Sequence, residues 1–156
     1  RHPEQTFLAV DVKGDRLQKG AYEAEVRGLN NIRFLRARAD QLLEVVKPTS
    51  VEQIWLTFPD PFPKKRSAGR RLTNKTFLYT YTKMLKKSGA LFLKHDSREF
   101  FFWSLEQLVA YHLRIDELSF DLHESDFSDD YKIMTTYEKR WLGEGSPTNF
   151  VKVFKS

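Results

Sequence analysis

The sequence predicts an α/β protein built on a mostly parallel, doubly wound sheet. Three observations lead there. Short apolar runs rich in strand formers alternate with longer stretches of helical spacing, and strand–helix–strand–helix order yields a parallel sheet with helices on its faces. Four predicted strands finish at or shortly before an aspartate, at Asp11, Asp40, Asp60 and Asp96. The last two strands have no full-length helix between them, which predicts an antiparallel hairpin at the sheet edge. At 156 residues with 40% hydrophobic side chains, the chain has the length and composition of one globular domain with a sizeable core.

Each element follows from local pattern. Residues 6–10, TFLAV, are a short strand ending at Asp11. Residues 13–27 set Leu17, Ala21, Ala24 and Val26 at roughly helical spacing, and Gly28 is a good helix stop. Asn30 and Asn31 turn the chain into a second strand, IRFLRA, at residues 32–37. Asp40 is placed to N-cap a short helix running to Val46 and closed off by Pro48. Residues 51–58, VEQIWLTF, form a third strand that delivers Asp60. A helix is predicted over 73–87, with Phe77, Leu78, Tyr81, Met84 and Leu85 on one face, Thr73 or Asn74 as its cap and Gly89 as its end. Residues 90–94, ALFLK, are a fourth strand reaching His95 and Asp96, followed by an aromatic-rich helix over 97–111. Residues 113–122 and 149–154 alternate as the last two strands. There is no internal repeat and no low-complexity segment.

Charge is distributed unevenly. The chain carries 26 basic and 21 acidic residues, a net charge of +5. Residues 64–75, KKRSAGRRLTNK, hold six of the basic ones (Lys64, Lys65, Arg66, Arg70, Arg71 and Lys75) and no acidic residue. Without them, 20 basic residues face 21 acidic ones, so one segment accounts for the basic character of the whole chain. Such a run is an electrostatic footprint for a polyphosphate, most simply RNA or DNA. Immediately before it, Asp60 sits between Pro59 and Pro61, whose fixed φ angles stiffen the turn. A rigid carboxylate beside a cationic segment reads as a reacting site next to a nucleic-acid grip. In open α/β sheets, ligands bind beyond the carboxyl ends of the strands. An aspartate after a strand also suits a ribose hydroxyl. That role fits Asp11 if a strand and a glycine loop precede the chain.

Several classes are excluded or unsupported. With no cysteine, disulfides, thiolate nucleophiles and Cys-ligated zinc drop out, which fits a reducing cytoplasmic setting. No apolar run approaches the ~20 residues needed to cross a bilayer, so no membrane partner is expected. His2, His95, His112 and His123 have no metal-ligand spacing and read as surface or helix-end residues, so no metal is expected. Neither GxGxxG, GxxxxGK[ST] nor GxSxG is encoded. The chain opens abruptly on Arg-His-Pro-Glu and looks like the back part of something longer.

The segment PDPFPKKRSAGRRLTNKTFL, residues 59–78, closely resembles the signature of the bacterial tRNA (guanine-N7-)-methyltransferases, with Phe62 where that family usually has Trp. The resemblance extends through FLAVDVKGDRL, NNIRFLRARADQLL, LFLKHDSREFF and MTTYEKRWLGEGSPTNFVKVF, with His95 and Ser97 as departures. It implies a Rossmann-like class I methyltransferase, here a single domain over 1–156 that lacks the first strand and the glycine-rich loop. The implied activity is transfer of a methyl group from S-adenosyl-L-methionine to N7 of a guanine in the tRNA variable loop.

By the same resemblance, Asp11 holds the cofactor ribose and Asp40 accepts from the adenine amino group. Asp60 lies at the junction of cofactor and target base, in the catalytic position. Lys64 contacts the substrate, and Lys65, Arg66, Arg70 and Arg71 grip the tRNA backbone. Asp96, Thr135 and Glu138 bind the target guanine, whose N1–H and N2–H₂ donors suit carboxylates. The Thr135-x-x-Glu138 spacing is equally that of a helix capping box. Two other classes carry weight: a catalytically silent Rossmann-like RNA-binding module, suggested by the missing glycine loop, and a nicotinamide-dependent oxidoreductase, whose ribose Asp11 would suit as well. The latter leaves the basic run unexplained. The sequence leaves monomer and homodimer equally open.

Overall fold

The computed structural model describes all 156 residues. They fall into two compact units, Arg1–Val45 and Val46–Ser156.

The first unit is a β–α–β element. Strand β1 (Phe7–Asp11) pairs in parallel with β2 (Ile32–Arg36), from Phe7 opposite Ile32 to Asp11 opposite Arg36. Parallel pairing needs a crossover, and helix α1 (Gly14–Val26) supplies it. Gly28, at φ 64°, ends the helix in the left-handed region that its missing Cβ permits, as the stop signal predicts. Gly20 has a packing role: a Cβ there would lie 3.0 Å from the Phe34 ring, so glycine lets α1 approach β2. The short helix beyond β2 is a 3-10 turn, Ala39–Glu44, and Asp40 does not cap it. Arg38 occupies the cap position and draws the Asp40 carboxylate into an ion pair at 2.7 Å instead.

The second unit holds β3 (Val51–Thr57), a 3-10 helix (Lys65–Arg70), α2 (Lys75–Met84), β4 (Leu85–His95), α3 (Arg98–Ala110), β5 (Leu113–Ser119), α4 (Thr136–Gly143) and β6 (Asn149–Lys155). Its strands lie in the order β3-β4-β6-β5. β3 and β4 are parallel, and β6 runs antiparallel to both β4 and β5. The antiparallel pair expected at the C-terminal edge is present, with β6 on its inner side. Burial explains the choice: Phe150, Val151 and Val153 of β6 are at most 1% exposed, whereas β5 alternates between covered and open positions and suits an edge. Only the Thr135–Glu138 spacing signals α4 in the sequence.

The helix expected over 73–87 is shorter. Asn74 caps α2 through Thr76 N–H, and the helix ends at Met84. Leu85 already belongs to β4, so Gly89 lies inside a strand rather than after a helix. The register between β3 and β4 is irregular there. A Cβ on Gly89 would lie 3.0 Å from the Val51 carbonyl oxygen and 3.1 Å from that of Glu52. The glycine admits a close backbone approach.

Both faces of this sheet are covered. On one, Trp55 stacks on Phe92 with centroids 4.1 Å apart and planes within 3°, and Phe150, Tyr131, Phe127 and Leu122 close the cluster. On the other, Phe100 of α3 packs on His95, and α3 is tied to the start of α2 through the buried Thr73–Ser104 hydroxyl pair at 2.8 Å.

Candidate functional site

Asp11 and Asp40 belong to the first unit. Asp11 is the last residue of β1; its Oδ1 accepts the Lys13 N–H at 2.9 Å, and its Oδ2 lies 3.7 Å from the Arg16 guanidinium. One carboxylate oxygen therefore keeps lone pairs open to a hydroxyl donor. Asp40 accepts from Arg38 through both oxygens, at 3.1 and 2.7 Å, and remains partly exposed. Each carboxylate oxygen has two lone pairs, so Asp40 retains capacity for an amino-group donor. The acceptor chemistry of the pair fits the ribose hydroxyls and adenine amino group of a nucleoside cofactor.

The other expected residues belong to the second unit. β3, β4 and β5 point the same way, so their carboxyl ends share one edge of the sheet, and this edge carries Asp60, Asp96 and Phe120 in turn. Asp60 stands on an unusual turn. Phe58 and Phe62 both precede a proline and both have positive φ, at 51° and 40°. For a bulky residue this is a strained conformation, costing ~1–3 kcal/mol each, and it persists only where surrounding bonds enforce it. Five such bonds are present. Phe58 N–H donates to the Lys94 carbonyl at 2.9 Å, and Phe62 N–H donates to Asp60 Oδ1 at 3.0 Å. The Arg71 guanidinium donates to the Phe62 carbonyl at 3.0 and 3.2 Å. The His95 ring meets the Pro59 carbonyl at 2.8 Å through Nε2. The Asp60 side chain itself projects from this clamp into solvent.

The basic run is a compact feature, not an open arm. Ser67 and Arg71 N–H groups close a 3-10 helix onto the Lys64 and Ala68 carbonyls, and Lys64, Lys65, Arg66 and Arg70 are exposed on it. Arg71 is set apart from these exposed cations. It is 8% exposed, and its guanidinium lies 4.5 Å over the Trp103 ring while fastening Phe62. It acts as a strut between turn and helix.

Thr135 and Glu138 take the capping-box arrangement. Thr135 Oγ1 accepts the Glu138 N–H at 3.1 Å, and Glu138 Oε2 accepts the Thr135 N–H at 3.2 Å. Glu138 is 0% exposed, and its carboxylate also receives Lys94 Nζ at 3.3 Å, His123 Nε2 at 2.7 Å and Thr148 Oγ1 at 3.4 Å. Burial is the main influence on Lys94 and pushes its pKa down, against the pull of Glu138. These contacts tie α4 and the 123–148 segment to β4 through Glu138.

Three contributors escape sequence reasoning. His95, expected at the surface or a helix end, is 3% exposed. Lys94 has the pattern of an ordinary strand residue although it joins a buried ion pair. Asn149, fully buried, donates through Nδ2 to the His95 carbonyl at 2.9 Å, and its Oδ1 has no partner. A signal exists for the first: His95 directly follows an apolar strand, where burial is the default. Beyond the expected set, Phe102 and Phe120 expose their rings 5.6 Å apart at the same edge, with the Arg98 guanidinium 5.8 Å over Phe120.

Comparison with known proteins gives one consistent result. A family model described as "Putative methyltransferase" matches residues 1–150. The tRNA (guanine-N(7)-)-methyltransferase of Cytophaga hutchinsonii is 38% identical over 153 residues, covering 96% of this chain and 69% of its own length. The enzyme of the same name from Brevibacillus brevis is 37% identical, covering 93% and 67%. Among solved structures, a SAM-dependent methyltransferase from Aquifex aeolicus aligns with 97% of this chain and 69% of its own, at a TM-score of 0.65 and 13% identity, a likeness of fold.

Proposed function

The chain belongs to the tRNA (guanine-N7-)-methyltransferase family, and we propose that it transfers a methyl group from S-adenosyl-L-methionine to N7 of a guanine in tRNA. The observation that carries the reading is the clamped Asp60 turn leading straight into the exposed basic 3-10 helix, a rigid carboxylate joined to a polyanion grip. Asp11 would hold the cofactor ribose and Asp40 the adenine amino group. When bound, the cofactor supplies an electrophilic methyl on a sulfonium, which a ring nitrogen with a free lone pair can accept.

Guanine N7 has such a lone pair, so no side chain has to remove a proton first. The protein's contribution is then alignment, worth up to ~7–11 kcal/mol in favourable intramolecular cases, together with the field of a fixed carboxylate. Asp60 serves as that orienting, electrostatic group. Asp96, beside it on the sheet edge, accepts from the guanine N1–H and N2–H₂ edge. Lys64, Lys65, Arg66 and Arg70 hold phosphates, and the Arg98–Phe102–Phe120 surface offers stacking faces for unpaired bases. Arg71, Thr135 and Glu138 support the site from behind. Both compact units serve one methyltransferase domain, acting on tRNA in the cytoplasm; no helix of the chain is long and apolar enough to cross a membrane. Nothing favours a silent binding module.

The test uses full-length protein, radiolabelled S-adenosyl-L-methionine and unmodified tRNA, with nucleosides analysed after digestion. Label in 7-methylguanosine is expected, and Asp60→Ala should remove it with the circular dichroism spectrum unchanged. Label in another nucleoside, or more than about a tenth of the rate left in Asp60→Ala (a loss under ~1.4 kcal/mol), would overturn the assignment.

A further inference from the structure

We propose that His95, in its neutral form, is the positioning residue that sets the Asp60 turn and keeps Asp96 free for substrate, and that protonation of His95 undoes both. The inference rests on the methyltransferase reading above and adds a residue to it. His95 ends β4, 3% exposed, with its ring against Phe100 at 4.4 Å and Phe58 at 6.2 Å. Its two nitrogens have different partners. Nε2 faces the Pro59 carbonyl at 2.8 Å, an acceptor only, so Nε2 carries the proton. Nδ1 faces the Ser97 N–H at 2.9 Å, a donor only, so Nδ1 carries the lone pair. The surroundings thus select one neutral tautomer. Through it the ring joins the strained Phe58–Phe62 turn to the cap of α3, since Ser97 Oγ also accepts the Phe100 N–H.

A second proton has to go on Nδ1. There it would oppose the Ser97 N–H, donor against donor, and the bond that ties the capping residue of α3 to the ring would break. The nearest acceptor for the new N–H is Asp96 Oδ1, 3.5 Å away. An imidazolium would therefore recruit Asp96 and divert a carboxylate assigned to the target base. The charged groups facing the ring are Asp96 from the end of β4 and Asp60 from the turn; Phe100 of α3 and Phe58 bring no charge. Burial is the largest influence and holds the pKa below its ordinary value, against the Pro59 carbonyl and the two carboxylates, which favour the imidazolium. The neutral form thus prevails at neutral pH.

Three measurements on the full-length protein test this. Long-range ¹H–¹⁵N spectra, with the His95 signals assigned by their loss in His95→Gln, should show the Nε2–H tautomer and a titration midpoint below about 6.5. Steady-state methylation between about pH 5 and 8 should show kcat falling as His95 protonates, tending to tenfold per pH unit. His95→Ala should lower kcat at least about tenfold at pH 8 with KM for tRNA little changed, because the turn shifts while the basic helix stays. His95→Gln places an amide N–H where Nε2–H stood. It should restore most of the rate and flatten the acid limb, since an amide does not titrate.

An Nδ1–H tautomer, a wild-type acid limb retained in His95→Gln, or wild-type kcat in His95→Ala would each overturn the proposal. If the wild-type protein methylates no tRNA, the functional reading falls instead. The tautomer, and hydrogen-exchange protection at the Phe58 and Phe62 amides, then decide the His95 claim: protection, relative to the unstructured rate at each pH, that fails to fall as His95 protonates refutes it.

Discussion

Replacing Glu138 separates two accounts of that residue, a contact to the target base and a structural anchor. The carboxylate is fully buried and lies 3.3 Å from Lys94 Nζ through each oxygen. At an effective dielectric constant of about 20, that separation corresponds to ~5 kcal/mol of attraction, which desolvation of both partners offsets in part. Removing one partner of a buried pair typically costs ~3–5 kcal/mol, because the other charge is left uncompensated. Glu138→Ala also opens the capping box, worth ~1 kcal/mol, and leaves His123 Nε2 without its 2.7 Å partner. One process softens the loss: burial already lowers the Lys94 pKa, so Lys94 can shed its proton. The expected cost is about 3 kcal/mol, a large share of the ~5–15 kcal/mol that stabilises a typical domain. Glu138→Gln keeps the shape and the cap but not the charge, and should cost about half as much. Urea denaturation followed by circular dichroism measures both, with the midpoint moving and the slope unchanged. Methyl transfer should fall in proportion to the folded fraction, and the salt dependence of tRNA binding should stay as it is. A Glu138→Ala protein within ~1 kcal/mol of wild type that binds tRNA but cannot methylate it would show that the carboxylate meets the substrate, and the anchor account would fall.

Other outcomes follow from the same geometry. Arg66→Glu with Arg70→Glu should lower the log–log salt slope of tRNA binding by roughly two, one for each phosphate no longer gripped, with S-adenosylmethionine affinity unchanged in calorimetry. Arg71→Ala should act differently. It should cost about 1.5–3 kcal/mol in stability and speed hydrogen exchange across the 58–72 turn, because it removes a charged donor from the Phe62 carbonyl. Gly89→Ala should cost ~1–3 kcal/mol in the urea midpoint, since its Cβ would meet two backbone oxygens at 3.0 and 3.1 Å. Stability should also depend on pH through His95. Its folded pKa is depressed, so the unfolded chain binds more protons below about pH 6.5. Stability should therefore be constant above that value and decline as pH falls toward the folded pKa, and His95→Gln should abolish this component.

Much of this is legible in the sequence where one local signal has one meaning. β1, α1 and β2 fall close to their expected places because alternation, helical spacing and Gly28 agree. The Asp60 turn announces itself through its prolines. Legibility fails where one residue type serves two purposes. Gly89 resembles a helix stop because glycine serves there, but the apolar run from Leu85 continues as a strand and the glycine is needed for backbone clearance. Asp40 resembles a cap, yet an arginine two residues earlier offers a stronger partner. Arg71 groups with the exposed cations because its neighbours are basic; only the fold shows that Trp103 and the Phe62 carbonyl claim it. His95 and Lys94 escape because their partners lie 36 and 44 residues away, at Pro59 and Glu138. Sheet order is illegible for the same reason, since nothing local in 149–155 says that it inserts inside β5.

That insertion bears on how the protein is made. A ribosome releases β3, β4, α3 and β5 in turn, but the place beside β4 belongs to β6, which appears after all of them. Until then β4 presents an open, strongly apolar edge while β5, already synthesised, has no native neighbour to pair with. A nascent chain in this state could zip β5 onto β4 directly, a parallel pairing that must be undone before the native order can form. The second unit should therefore complete its sheet only once β6 has emerged, and the waiting edge is where a chaperone would be needed most.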